Sequence, residues 1–190
     1  MTKDVFKIQT DERAMLRKKG IILLSGEIAY PTAEAFVQDM LLLSGRREVK
    51  IIISSPGGEV TDGLAIIAAI REAQGKGTLV CGSVYGHASS MAAFILQYCD
   101  TRAMDKDAIL MVHGVKDFQE GDIKNTEIEI ALLHDLMHNQ AKQLALRCEK
   151  SGADDQLQDE DYWYTILTED TPHYFMADQA LAAGLIDEIV

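Results

Sequence analysis

Serine hydroxyls and a histidine ring are the groups in this chain best suited to nucleophilic chemistry. The stretch YGHASSMAAFILQY, from Tyr85 to Tyr98, sets Ser89 and Ser90 at the front of an apolar segment. A buried hydroxyl without a partner costs free energy, so two in a row need a reason. Both can be caps or small packing residues, since serine is a favoured helix cap. Alternatively, one of them presents its hydroxyl into a cleft, with the N–H of Met91 beside it as an oxyanion donor. A serine nucleophile needs a base within hydrogen-bond reach, and His113, closing the apolar run AILMVHG, has suitable chemistry. Taken alone, such a histidine also suits a buried ring bonded to backbone.

A second feature is SSPGGEVTDG, a run in which Pro56-Gly57-Gly58 precedes an apolar helix pattern. Glycines adopt positive φ and let backbone approach a ligand closely. N–H groups at a helix start stabilise an anion or a developing oxyanion. The same glycines also suit a tight turn that needs them for geometry alone. His134 and His138 in HDLMH stand four apart, a spacing that can bind zinc on one helix face. No third ligand follows at useful spacing, and a solvated helix face is the favoured reading. His87 reads as a cleft wall rather than a base. Asp154, Asp155, Asp159, Asp161 and Asp170 are all available to orient a histidine, and spacing does not choose among them.

The elements that must position these groups alternate along the chain. Strands are expected at Gly20 to Gly26, Val49 to Ser55, Thr78 to Val84 and Ala108 to Gly114. Helices are expected from Pro31 to Gly45, from Thr61 to Gly75 and over SSMAAFILQY. The alternation implies α/β architecture, a parallel sheet covered by helices, with the strand ends as the place where a site gathers. Asn125 to Gly152 reads as one long amphipathic helix. One apolar stripe runs Ile130, Leu133, Met137, Ala141, Leu144, Cys148, and Ile128, Leu132 and Leu136 form a second row beside it. A helix apolar over two stripes has to bury two sides, which points to packing on a partner subunit. Shorter helices follow around Asp161 to Thr168 and Ala177 to Ala183. Residues 1–18 are polar and read as an arm.

Composition bounds the function classes. The 190 residues are 47% hydrophobic and 25% charged, enough for one domain with a sizeable core. A formal net charge of −12 argues against a general nucleic-acid binder. Cys81, Cys99 and Cys148 sit in apolar contexts without metal-ligand spacing, so they read as reduced thiols. No stretch resembles a signal peptide or a membrane span, so a cytoplasmic protein that contacts no membrane is expected.

Taken together, these pieces resemble the ClpP family, the proteolytic subunit of the ATP-dependent Clp protease, from about Gly20 to Val190. SSPGGEVTDGLAI is similar to the family's N-S-P-G-G-x-V-x-x-G-x-x-I segment. GHASSMAA is similar to G-x-A-A-S-M-G, LMVHG to x-M-I-H-Q-P, and FMADQALAAGLIDEIV to the family's ending. The resemblance implies a ClpP/crotonase-like fold of repeated β-β-α units, with the long helix, about residues 125–151, as a protruding handle for ring-ring contact. It implies a serine endopeptidase with Ser90 as nucleophile, His113 as general base and Asp170 as the acid. It also implies Gly58 and the Met91 N–H as oxyanion hole, and no cofactor or metal. Ser89 then stands where alanine is usual, as a cap. The implied assembly is heptameric rings stacked as a tetradecamer, fed with unfolded polypeptide by an AAA+ unfoldase, with short peptides entering unaided.

The chain departs from the pattern in places. HGV replaces H-Q-P, Ala92 replaces a glycine, and Asp170 lies closer than usual to the following phenylalanine. Those departures keep a second reading open, a catalytically weak ring subunit that scaffolds an active paralogue. A crotonase-like acyl-CoA enzyme lacks the serine and histidine constellation. A membrane-anchored signal-peptide peptidase relative is disfavoured by the want of a membrane segment.

Overall fold

The computed structural model describes residues 12–114, 123–169 and 171–190. Residues 12–18 are helical (α1), and the further elements are β1 (Ile21–Ser25), α2 (Tyr30–Leu43), β2 (Glu48–Ser55), α3 (Val60–Gly75), β3 (Leu79–Ser89) and α4 (Met91–Gln97). They continue as β4 (Thr101–Met104), β5 (Ile109–Val112), α5 (Ile123–Ser151), α6 (Glu160–Thr168), β6 (His173–Met176), α7 (Ala177–Ala182) and β7 (Glu188–Ile189). Side chains at residues 123–130, Ile128 and Ile130 among them, lie outside the described set.

Strands β1-β2-β3-β4-β7 form a parallel sheet, while β5 pairs with β3 and, antiparallel, with β6. The register sets Ile22 beside Ile51 and Gly82, and Leu24 beside Ile53 and Val84. These residues are buried, whereas Leu23, Leu79 and Tyr85 on the alternate positions are exposed. The strands therefore bury one face within this chain, although the β-branched VKIIISS reads in sequence as a buried strand. Helix α4 is buried at all of its seven residues, as a helix apolar all round must be. It lies so close to β3 that a Cβ on Gly82 would stand 2.7 Å from Leu96 Cδ1.

Two ion-pair groups close the periphery. Arg13 Nε and Arg17 Nη1 donate to Asp39 at 2.6 and 2.7 Å, tying α1, read in sequence as part of a polar arm, to α2. Asp39 is buried on α2, and the paired guanidinium groups compensate its charge. At the other end Arg102, only 2% exposed, donates to Asp187, to Gln97 Oε1 and to the Gly184 carbonyl. Strand β4 was not foreseen, because TRAM carries a guanidinium whose partners lie far along the chain.

The long helix runs Ile123–Ser151, as the periodicity implies. Met137, Ala141, Leu144 and Cys148 are buried on one stripe. Leu132 and Leu146 remain 57% and 39% exposed on another. Among the described residues no helix is long and apolar enough to cross a membrane.

Candidate active site

The site begins where β3 changes neighbours. Up to Val84 the strand pairs with β4, and from His87 it pairs with β5. Between these parts its register with β2 shifts, from Ile53↔Val84 to Ser55↔Ala88, and Gly86 takes φ 90°. Such bulges re-aim a strand and are frequent beside active sites. The strand runs on to Ser89, so the boundary differs from the expected end at Val84. Ser89 is a strand residue paired with Met111, not the helix cap expected of it.

Ser90 holds the N-cap position of α4, and its side chain makes no capping hydrogen bond. Its backbone has φ 54° and ψ −128°, and it is the sole non-glycine with positive φ among the described residues. Serine pays a steric cost there, and strain of this kind clusters at functional sites. The Ser90 N–H donates to the Met111 carbonyl at 2.9 Å, fixing the turn to β5, the strand that leads into His113.

Opposite lies the glycine turn. Gly57 has φ 93° and Gly58 φ 148°, and the Gly57 N–H donates to Ser55 Oγ at 3.1 Å. The Ile28 N–H donates to the Gly57 carbonyl and the Glu59 N–H to the Ile28 carbonyl, both at 2.8 Å. A Cβ on Gly58 would lie 2.1 Å from the Ile28 oxygen, so this turn needs glycine for close approach of two backbones. Among the described residues neither the Gly58 N–H nor the Met91 N–H meets an acceptor.

Ser90, Met91, Gly58 and His113 line one cavity of about 480 Å³, together with Phe94, Leu133 and Gln140. Among the described residues its charged lining is the carboxylates Glu27 and Glu59, with no lysine or arginine. His87 is not part of the lining. Gly114 follows His113 directly, and a Cβ there would lie 1.7 Å from the Leu167 carbonyl oxygen. Helix α6 thus leaves no room for the glutamine usual after the histidine, which explains that departure. The arrangement suits acyl transfer: a hydroxyl not spent on capping, an imidazole in the same cavity, and two N–H groups without acceptors.

Asp170 lies outside the described residues. The chain on either side is closed by His173 Nε2 and Glu169 Oε2 at 2.9 Å. Val112 pairs with His173, so this segment returns to the strand end that carries His113.

The histidine pair of α5 is engaged with α6. His138 stacks on Tyr164 at 3.9 Å between centroids, and His134 Nδ1 contacts the Tyr164 hydroxyl. His138 Nδ1 also lies 3.6 Å from Glu160 Oε1. Among the described residues no group of three or more His, Cys, Asp or Glu is arranged to hold a metal ion.

Sequence reasoning missed Gln140, which reads as a polar residue on a helix face but is only 9% exposed. It missed Gly63 as well, where a Cβ would meet Met91 Cγ at 2.3 Å, so α3 sets the depth of the residue after the serine. The glycine turn, the serine before Met91 and the histidine after β5 are brought to one cavity. That family's model matches residues 6–190, and the chain therefore belongs to the Clp protease family, whose members are peptidases that generally form oligomeric rings.

Proposed function

We propose that this chain is a serine endopeptidase subunit of a self-compartmentalising barrel. Ser90 Oγ attacks the scissile carbonyl carbon while His113 takes its proton. The tetrahedral oxyanion is held by the N–H groups of Gly58 and Met91. His113 then gives the proton to the leaving amine, and water hydrolyses the acyl-enzyme by the reverse proton path. Asp170 orients His113 and stabilises its cation. The observation that carries this reading is Ser90 itself: a strained N-cap whose hydroxyl does not cap, in one cavity with His113.

The assembly belongs to the same reading. Heptameric rings stack through α5, where Leu132 and Leu146 are exposed beside the buried stripe. Substrates are unfolded polypeptides delivered by an AAA+ unfoldase in the cytoplasm, and short peptides that enter unaided. An enclosed chamber keeps a poorly selective peptidase from its surroundings.

A fluorophosphonate probe tests the chemistry. The adduct is expected on Ser90 and lost in Ser90→Ala and His113→Ala. Labelling that disappears in Ser89→Ala but persists in Ser90→Ala would contradict the assignment. An assembled ring that takes no label at all would instead favour the scaffold reading. Asp170→Asn is expected to cut turnover sharply while leaving the ring intact.

A further inference from the structure

Gln140 stands on the buried side of α5, in the stripe neighbourhood of Met137, Ala141 and Leu144. An apolar residue would suit that packing. Its amide is instead enclosed, and Oε1 is buried with no hydrogen-bond partner among the described residues. Buried acceptors are satisfied in nearly all folded proteins, and an exception calls for a missing partner. Gln140 lines the cavity that holds Ser90, Met91 and His113, so the missing partner can arrive with the substrate. The last torsion of a glutamine side chain is broad, so the amide of this lining residue can turn its oxygen towards the cavity.

The charge of the cavity says which partner fits. Glu27 and Glu59 are acidic, and among the described residues no lysine or arginine lines the space. The field disfavours a carboxylate and favours a donor. The substrate side chain nearest a nucleophile is that of the residue before the scissile bond. We propose that Gln140 is a specificity-determining residue, which accepts a hydrogen bond from that side chain. It thereby selects N–H or O–H donors over apolar and acidic groups. This deepens the serine-peptidase reading and rests on it.

Two fluorogenic peptides that differ only in Gln or Leu before the scissile bond provide the test, with fluorophosphonate labelling of Ser90 run alongside. The native protein is expected to favour the Gln peptide in kcat/KM by about tenfold, the effect of one hydrogen bond to an otherwise orphaned acceptor. Gln140→Leu is expected to reverse the order and to raise Tm, since the orphaned acceptor is gone. Gln140→Glu keeps an acceptor in the same shape and is expected to keep the preference for donors. An unchanged Gln-to-Leu ratio in Gln140→Leu, with Ser90 still labelled, overturns the role of Gln140 and leaves the serine reading standing. No label on Ser90 in the native protein overturns both.

Discussion

Gly57 and Ser90 are packed so tightly that the glycine has no room for a side chain: a Cβ on Gly57 would stand 2.7 Å from Ser90 Cβ and 3.0 Å from Met91 N. The glycine turn and the serine turn therefore fix each other. Gly57 also has φ 93°, where an L side chain is strained. Gly57→Ala is expected to cost at least about 2 kcal/mol of stability from strain and overlap together. It should also move Ser90 and abolish fluorophosphonate labelling. Thermal unfolding and labelling of the same preparation check both, and wild-type labelling in Gly57→Ala would contradict the fit.

The strain at Ser90 makes a prediction of opposite sign. At φ 54° a glycine is comfortable and alanine is not. Ser90→Gly relieves the strain, partly offset by the greater freedom of glycine in the unfolded chain. The net gain over Ser90→Ala is expected at about 1 kcal/mol, or roughly 3 °C in Tm for a chain of this size. Neither variant takes the probe. Calorimetry decides it: equal Tm values for the two variants would mean that the strain stored at residue 90 does not exceed the entropy that glycine loses on folding.

How far the site could be read in sequence follows from the range of the forces involved. The PGG turn was legible because glycine has no side chain to meet a close backbone, and Ile28 supplies that backbone. Helix α5 was legible because its stripe repeats along a continuous segment. The end of β3 was not, because the shift between Ile53 and Ser55 depends on a neighbouring strand rather than on local propensity. Nothing local marks the charged Arg102 as a core residue, because Asp187 and the Gly184 carbonyl that pair it lie far along the chain. Several carboxylates could serve His113, and spacing had no means to choose among them. Gln140 looked like an ordinary polar position because nothing in a helix repeat announces that a polar residue is enclosed.

The two buried thiols, Cys99 and Cys148, are expected to be inert. Burial pushes the Cys99 thiol up to about 12 and the Cys148 thiol up to about 11, the latter against the opposing charge of Arg102. The thiolate is the reactive form, so both should resist alkylation in the folded protein at pH 8. Cys81 is only partly buried and should react first. Peptide mapping after iodoacetamide, with and without denaturant, checks the order. Alkylation of Cys99 before Cys81 in the folded protein would contradict the packing of α4 on β3.

The Arg102–Asp187 pair predicts where acid weakens the fold. Burial pushes the Asp187 carboxyl up, but the hydrogen bonds and charge of Arg102 outweigh it and hold the group below its ordinary value of 3.8. A carboxyl depressed in the folded state contributes stability that is complete above its unfolded value and is lost as pH falls through the folded one. The contribution is thus fully present at pH 7 and declines only below about pH 3.8. Asp187→Asn takes the countercharge from the 2%-exposed guanidinium and leaves it the neutral acceptors Gln97, the Gly184 carbonyl and one amide oxygen. The Asp187 side chain is 40% exposed, which places the loss between surface and buried pairs, at about 2 kcal/mol at pH 7. Denaturant unfolding of both proteins at pH 7 and below pH 3 measures it. The difference should be present at pH 7 and should narrow in acid, and a difference that widened as pH fell would show that the carboxylate is not stabilised by Arg102.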